Sequence, residues 1–147
     1  AGDIIFVGRV INRNMVTIAN AIVNSTLLAF FSELIGRTDL GDGLLTTYGP
    51  ELLSFSLPNP YLFDKNQNLL LNFECLCKRE VKGIQEEVKQ PDRRALDDVI
   101  FDVLGLTKGE REAVYEAVID LVTKRLQKAR SGRRSGYAEA RYNRQSE

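Results

Sequence analysis

Apolar residues recur at Met15, Ile18, Ile22, Leu27, Phe30, Phe31 and Leu34, a spacing that returns to one face of an α-helix every three or four positions. The pattern predicts a long helix from Met15 to Ile35, stopped by Gly36. Ahead of it, Ile4 to Ile11 is rich in β-branched residues and interrupted by Gly8, which favours a strand. Behind it, Thr38-Asp39-Leu40-Gly41-Asp42-Gly43 has the composition of a turn. Leu44 to Tyr48 then reads as a short strand, and Gly49-Pro50-Glu51 opens a helical turn with proline in its first position. Leu57-Pro58-Asn59-Pro60 breaks regular structure again.

The second half is patterned for helices throughout. Leu69, Leu70, Phe73, Leu76 and Cys77 predict one from Leu69 to Val81, with Gly83 interrupting before Ile84 to Val88 and Pro91-Asp92 marking a boundary. Leu96, Val99, Ile100, Val103 and Leu104 line a further helix from Arg93 to Leu104, ended by Gly105. Thr107 and Glu110 have the spacing of a capping box, in which each side chain satisfies a backbone N–H left free at a helix start. The last helix carries a narrow stripe of Val114, Val118, Leu121, Val122 and Leu126 and should close near Arg130. Residues 131–147 contain no aliphatic side chain larger than alanine and are expected to form a disordered basic tail. The expected fold is α+β and mainly α: a small β-sheet from Ile4 to Ile11 and Leu44 to Tyr48, a long packing helix, and a helical C-terminal bundle. It forms a single domain over 1–130, with a strand, helix and strand part in 1–62 and a helical part in 66–130.

Composition narrows the chemistry. A chain of 147 residues with 44% hydrophobic content can build one core. Histidine and tryptophan are absent, so mechanisms that need a histidine base or metal ligand are excluded. Cys75 and Cys77 lie two apart on a predicted helix, point to different faces, and read as reduced thiols. No apolar run reaches the ~18 residues that cross a bilayer, and the start lacks a basic signal-peptide region, so a cytoplasmic protein without membrane contact is expected. Entry into the apolar Ile4 to Val7 without an initiator methionine suggests a domain excised from something larger. The sequon at Asn24-Ser25-Thr26 falls on a helix face expected to be buried, and reads as unmodified.

Candidate sites are few. Asn59-Pro60-Tyr61 resembles the tetrapeptide with which amino-methyltransferases hold a flipped base, but lacks its second proline, and a turn explains it better. Gly41-Asp42-Gly43 fits no phosphate-loop or dinucleotide fingerprint. Asp97, Asp98 and Asp102 are expected on the outer face of their helix as a solvated patch. No catalytic or metal-ligating residue is assigned. Lys plus Arg and Asp plus Glu number 20 each, so only local charge can indicate a partner. Lys124, Arg125, Lys128, Arg130, Arg133 and Arg134 occur without an acidic residue among them, which suits a phosphate backbone or, equally, the negative end of a helix dipole. Arg9, Arg13 and Arg37 flank the first strand and helix and are further candidates for DNA contact. Tyr137 and Tyr142 alternate with Arg141 and Arg144 and could stack on bases.

Two segments carry a family resemblance. Asn24-Ser25-Thr26-Leu27 running into Gly36-Arg37-Thr38-Asp39-Leu40-Gly41-Asp42-Gly43, followed by Leu57-Pro58-Asn59-Pro60, resembles the C-terminal target-recognition region of large adenine-specific DNA methyltransferases of the restriction-modification type. Arg94 to Thr107, with Glu110-Arg111 and a helix closing on Lys128-Ala129-Arg130, is similar to the helical ending of the same enzymes. In that family a separate upstream domain holds S-adenosylmethionine and the flipped adenine. The resemblance therefore implies a non-catalytic fragment without a cofactor of its own, partnered by double-stranded DNA and by the parent's catalytic domain. The alternative is a helical interaction or scaffold domain that packs on a catalytic domain or partner subunit and touches no DNA.

Overall fold

The structure is a computed structural model that describes residues 12–38, 43–64 and 66–143, with side chains up to Ser131. A short 3-10 turn at Arg13–Met15 leads into α1 (Val16–Val23), and α2 follows at Thr26–Ile35. The first apolar pattern is thus two helices, bent by 68° at Asn24-Ser25. The break has a local cause. The Ser25 side chain accepts from the Leu28 backbone N–H and caps α2, and its hydroxyl donates to the Ile22 carbonyl at 2.7 Å. The same side chain therefore ends one helix and starts the next. Asn24 is exposed at this corner, not on the buried face predicted for it, while Ser25 and Thr26 are buried.

The remaining elements are α3 (Gly49–Leu53), a 3-10 turn at Pro60–Phe63, α4 (Gln67–Cys77), α5 (Ile84–Glu87), α6 (Pro91–Val103) and α7 (Lys108–Asn143). Proline begins α6, and Gly105, with φ of 71°, supplies the left-handed residue beyond its end. The Thr107–Glu110 capping box forms as predicted: the Glu110 carboxylate accepts from the Thr107 N–H at 2.7 Å, and the Thr107 hydroxyl accepts from the Glu110 N–H at 3.4 Å. α7 runs past Arg130, where its apolar stripe has already ended.

The architecture is all-α, which corrects the expected α+β fold. No β-strand occurs among the described residues. Leu44 to Tyr48 contributes one isolated antiparallel bridge, Thr46 to Arg37, with N–H to carbonyl distances of 2.8 and 2.9 Å. Toward Gly36 and Thr47 the bridge cannot extend, because α2 ends at Ile35 and the facing Tyr48 is already the N-cap of α3, its N–H held by Glu51. The other predicted strand, Ile4 to Ile11, lies outside the described residues.

One core joins these helices. Ile22, Phe63, Leu69, Leu96, Ile100, Phe101 and Val118 are almost completely buried, and α4 on α6 and α2 on α7 are its main packing pairs. Phe101 meets Tyr115 edge-on with ring centroids 5.8 Å apart.

Candidate functional site

Asp97 stands where the core is deepest. It was expected on the solvated face of its helix, but it is fully buried beside Leu96, Ile100 and Phe101. Its Oδ1 accepts from the Thr26 N–H at 2.9 Å, and its Oδ2 accepts from the Thr26 hydroxyl at 2.6 Å and the Tyr115 hydroxyl at 3.2 Å. One carboxylate thus ties the start of α2 to α6 and α7, with its negative charge at a helix N-terminus. Burial raises the Asp97 carboxyl above the usual range, and the Thr26 donors and the Arg93 charge only partly oppose it. Tyr115 is raised as well, by burial and then by the Asp97 charge. Asp98 and Asp102 behave as expected of surface residues and pair with Arg111 at 3.3 and 2.5 Å.

A second polar node closes the corner between α1 and α2. Glu87 receives both ends of the Arg79 guanidinium at 2.9 Å, Arg93 Nε at 3.0 Å and the Lys82 N–H at 3.0 Å. Arg79 also grips Asp92, and Arg93 donates to the Asn24 carbonyl. These contacts, the Arg79 hydrogen bonds foremost, hold the Glu87 carboxyl down to about 2. Among the described residues every buried side-chain N or O has a partner, and no group of His, Cys, Asp or Glu is arranged to hold a metal. Both nodes are saturated internally and offer nothing to a substrate.

The predicted DNA-contact residues do not converge. Arg37 pairs with Glu51 and stands over the Tyr48 ring. Arg125 is turned inward, gripping Glu33 at 2.6 and 2.9 Å and donating to the Gly43 carbonyl. Lys124 pairs with Asp120 one turn earlier, at 2.6 Å. Arg13 is exposed in the first 3-10 turn. Lys128 and Arg130 are exposed on α7. Two positions apart, they project about 200° from each other around the helix. Arg9 lies outside the described residues, and Arg133 and Arg134 fall where only the α7 backbone is described. The tail residues Tyr137, Arg141 and Tyr142 fall there too, while Arg144 lies outside the described residues. Asn59-Pro60-Tyr61 is a turn: the Asn59 side chain accepts from the Tyr61 N–H at 3.0 Å, and the Tyr61 hydroxyl accepts from Asn12 at 3.3 Å. Of the Gly41-Asp42-Gly43 loop only Gly43 is described, seated on α7 with its carbonyl held by Arg125.

Sequence reasoning missed an open apolar groove. Three consecutive leucines, Leu69 to Leu71, cannot share one helix face when successive side chains are about 100° apart. Leu69 is buried, whereas Leu71 is 58% exposed. Leu70, Leu71, Phe73 and Cys77 of α4, with Thr17 and Ile18 of α1, line an open groove of about 520 Å³. Asp64 and Glu74 are its charged lining residues, and both are acidic. The leucine run was the available signal, but in a sequence it cannot be told from a broader core stripe.

Among the described residues no single helix is long and apolar enough to cross a membrane. Compared with known protein families, curated proteins and solved structures, the chain shows no match.

Proposed function

We propose that the chain is a non-catalytic helical module of an adenine-specific DNA methyltransferase or restriction-modification enzyme, one that helps to position target DNA. The supporting observation is the Asp97 node. It joins the two segments on which the family resemblance rests, because Thr26 lies in the first and Asp97 in the second. The motifs then act as the internal frame of a rigid module, and S-adenosylmethionine and the methyl transfer belong to another domain of the parent protein. Duplex contact falls to the exposed cations of α7, Lys128 and Arg130, and to Arg133 and Arg134 further along it. A helix with cations on opposite flanks suits a groove, where phosphates lie on both sides.

The test is fluorescence anisotropy of a labelled random duplex with the full chain at several salt concentrations, beside the Lys128→Glu/Arg130→Glu variant. Binding should weaken steeply with salt, and the variant should lower the slope of log affinity against log salt by about 2, one for each lost phosphate contact. Absence of binding at low salt, or an unchanged slope, would overturn the DNA reading. A second reading, a packing domain that touches no DNA, is favoured by the open apolar groove that the described residues form between α1 and α4.

A further inference from the structure

We infer that the groove between α1 and α4 is a docking site for a basic amphipathic helix presented by another folded domain or subunit. This holds whether or not the module touches DNA. α4 is apolar on two sides. Leu69 and Leu76 are spent on the core, while Leu70 and Leu71 remain 37% and 58% exposed. The volume of about 520 Å³ lies within the usual size of a binding cleft. Its apolar floor, running between two helices, is the geometry that accepts side chains at successive turns of a partner helix.

The rim selects the partner. Asp64 and Glu74 both line the groove, and among the described residues no lysine or arginine does. Glu74 is paired with Lys78 at 2.8 Å, but both side chains are more than 60% exposed, and such a pair costs little to exchange for an incoming cation. A second copy is a poor occupant, because a two-fold contact through this face would set the acidic rims against each other. An anionic lipid surface is disfavoured by the same charges. A helix with leucine-like side chains on one face and lysine or arginine beside them satisfies both floor and rim.

The cysteines provide a readout without further engineering. Cys77 lines the groove and Cys75, also exposed, does not, so alkylation of the two thiols by iodoacetamide reports occupancy at one site and a control nearby. The full chain is challenged with equal-length amphipathic peptides of Leu/Lys, Leu/Glu and Ser/Lys composition. The Leu/Lys peptide should slow Cys77 about tenfold at ten times its Kd, leaving Cys75 unchanged. Leu71→Asp, an exposed position whose folding is checked by circular dichroism, should abolish that protection. Asp64→Lys/Glu74→Lys should transfer it to the Leu/Glu peptide. Equal protection by Leu/Lys and Leu/Glu would overturn the basic partner while leaving the packing role in place. No protection by any peptide would overturn the docking site. Cys77 protection that rises with protein concentration alone would make a second copy the occupant and overturn the proposal.

Discussion

Asp97 shows how much a single side chain can decide. It organises a backbone N–H, a threonine hydroxyl and a tyrosine hydroxyl, all buried. Replacement by alanine leaves these groups without a partner where water cannot replace it. Asp97→Ala is expected to destabilise the fold by about 3 kcal/mol in urea unfolding, whereas an exposed aspartate would cost well under 1. Glu87 governs acid stability. Its folded carboxyl titrates at about 2, against 4.5 when unpaired, so its contribution is complete above 4.5 and is lost as pH falls toward 2. The loss is about 3 kcal/mol. Asp97 acts in the opposite sense, because burial raises its carboxyl and the folded state sheds a penalty on taking a proton there. Thermal melts of the chain and of Glu87→Gln between pH 6 and 2.5 separate the two: the variant should begin less stable and lose less.

At the scale of elements, the ends at Gly36 and Gly105 and the Thr107–Glu110 cap were readable in advance, whereas the Ser25 cap and the run of α7 past Arg130 were not. Gly105 and the Thr107–Glu110 box end and begin helices where their chemistry demands. The break at Ser25 escaped notice because serine is compatible with a helix interior. It acts as a cap here because Asp97, 71 residues away, holds the next residue, Thr26. The loop after α2 is tied to α7 by Gly43. Its φ is 72°, and a Cβ there would come within 3.0 Å of the Ala129 Cβ, next to the carbonyl held by Arg125. Gly43→Ala is therefore expected to cost about 1 to 2 kcal/mol by backbone strain and the lost close approach. It should also speed amide exchange at Arg37 and Thr46, which close the same loop.

At the scale of the whole molecule, the helices leave two surfaces with different chemistry: the basic flanks of α7 and the acidic-rimmed apolar groove of α1 and α4. Their separation gives a further expectation for the binding experiment. Leu71→Asp should leave the salt dependence of duplex binding unchanged, because Leu71 lies in the groove while Lys128 and Arg130 lie on α7. A change of slope by the groove variant would mean that the two surfaces act as one.

What the sequence determined by itself was the helical second half, the boundaries set by Pro91, Gly105 and Thr107, and the absence of histidine chemistry. Periodicity and capping are local, and no distant residue was needed to express them. Tertiary structure decided the rest. It turned Asp97 inward and Arg125 onto Glu33, broke the first helix, reduced Leu44 to Tyr48 to a single bridge, and left Leu71 uncovered. Each depends on which element lies opposite, and the same charged or apolar residue is surface, core or interface according to that neighbour.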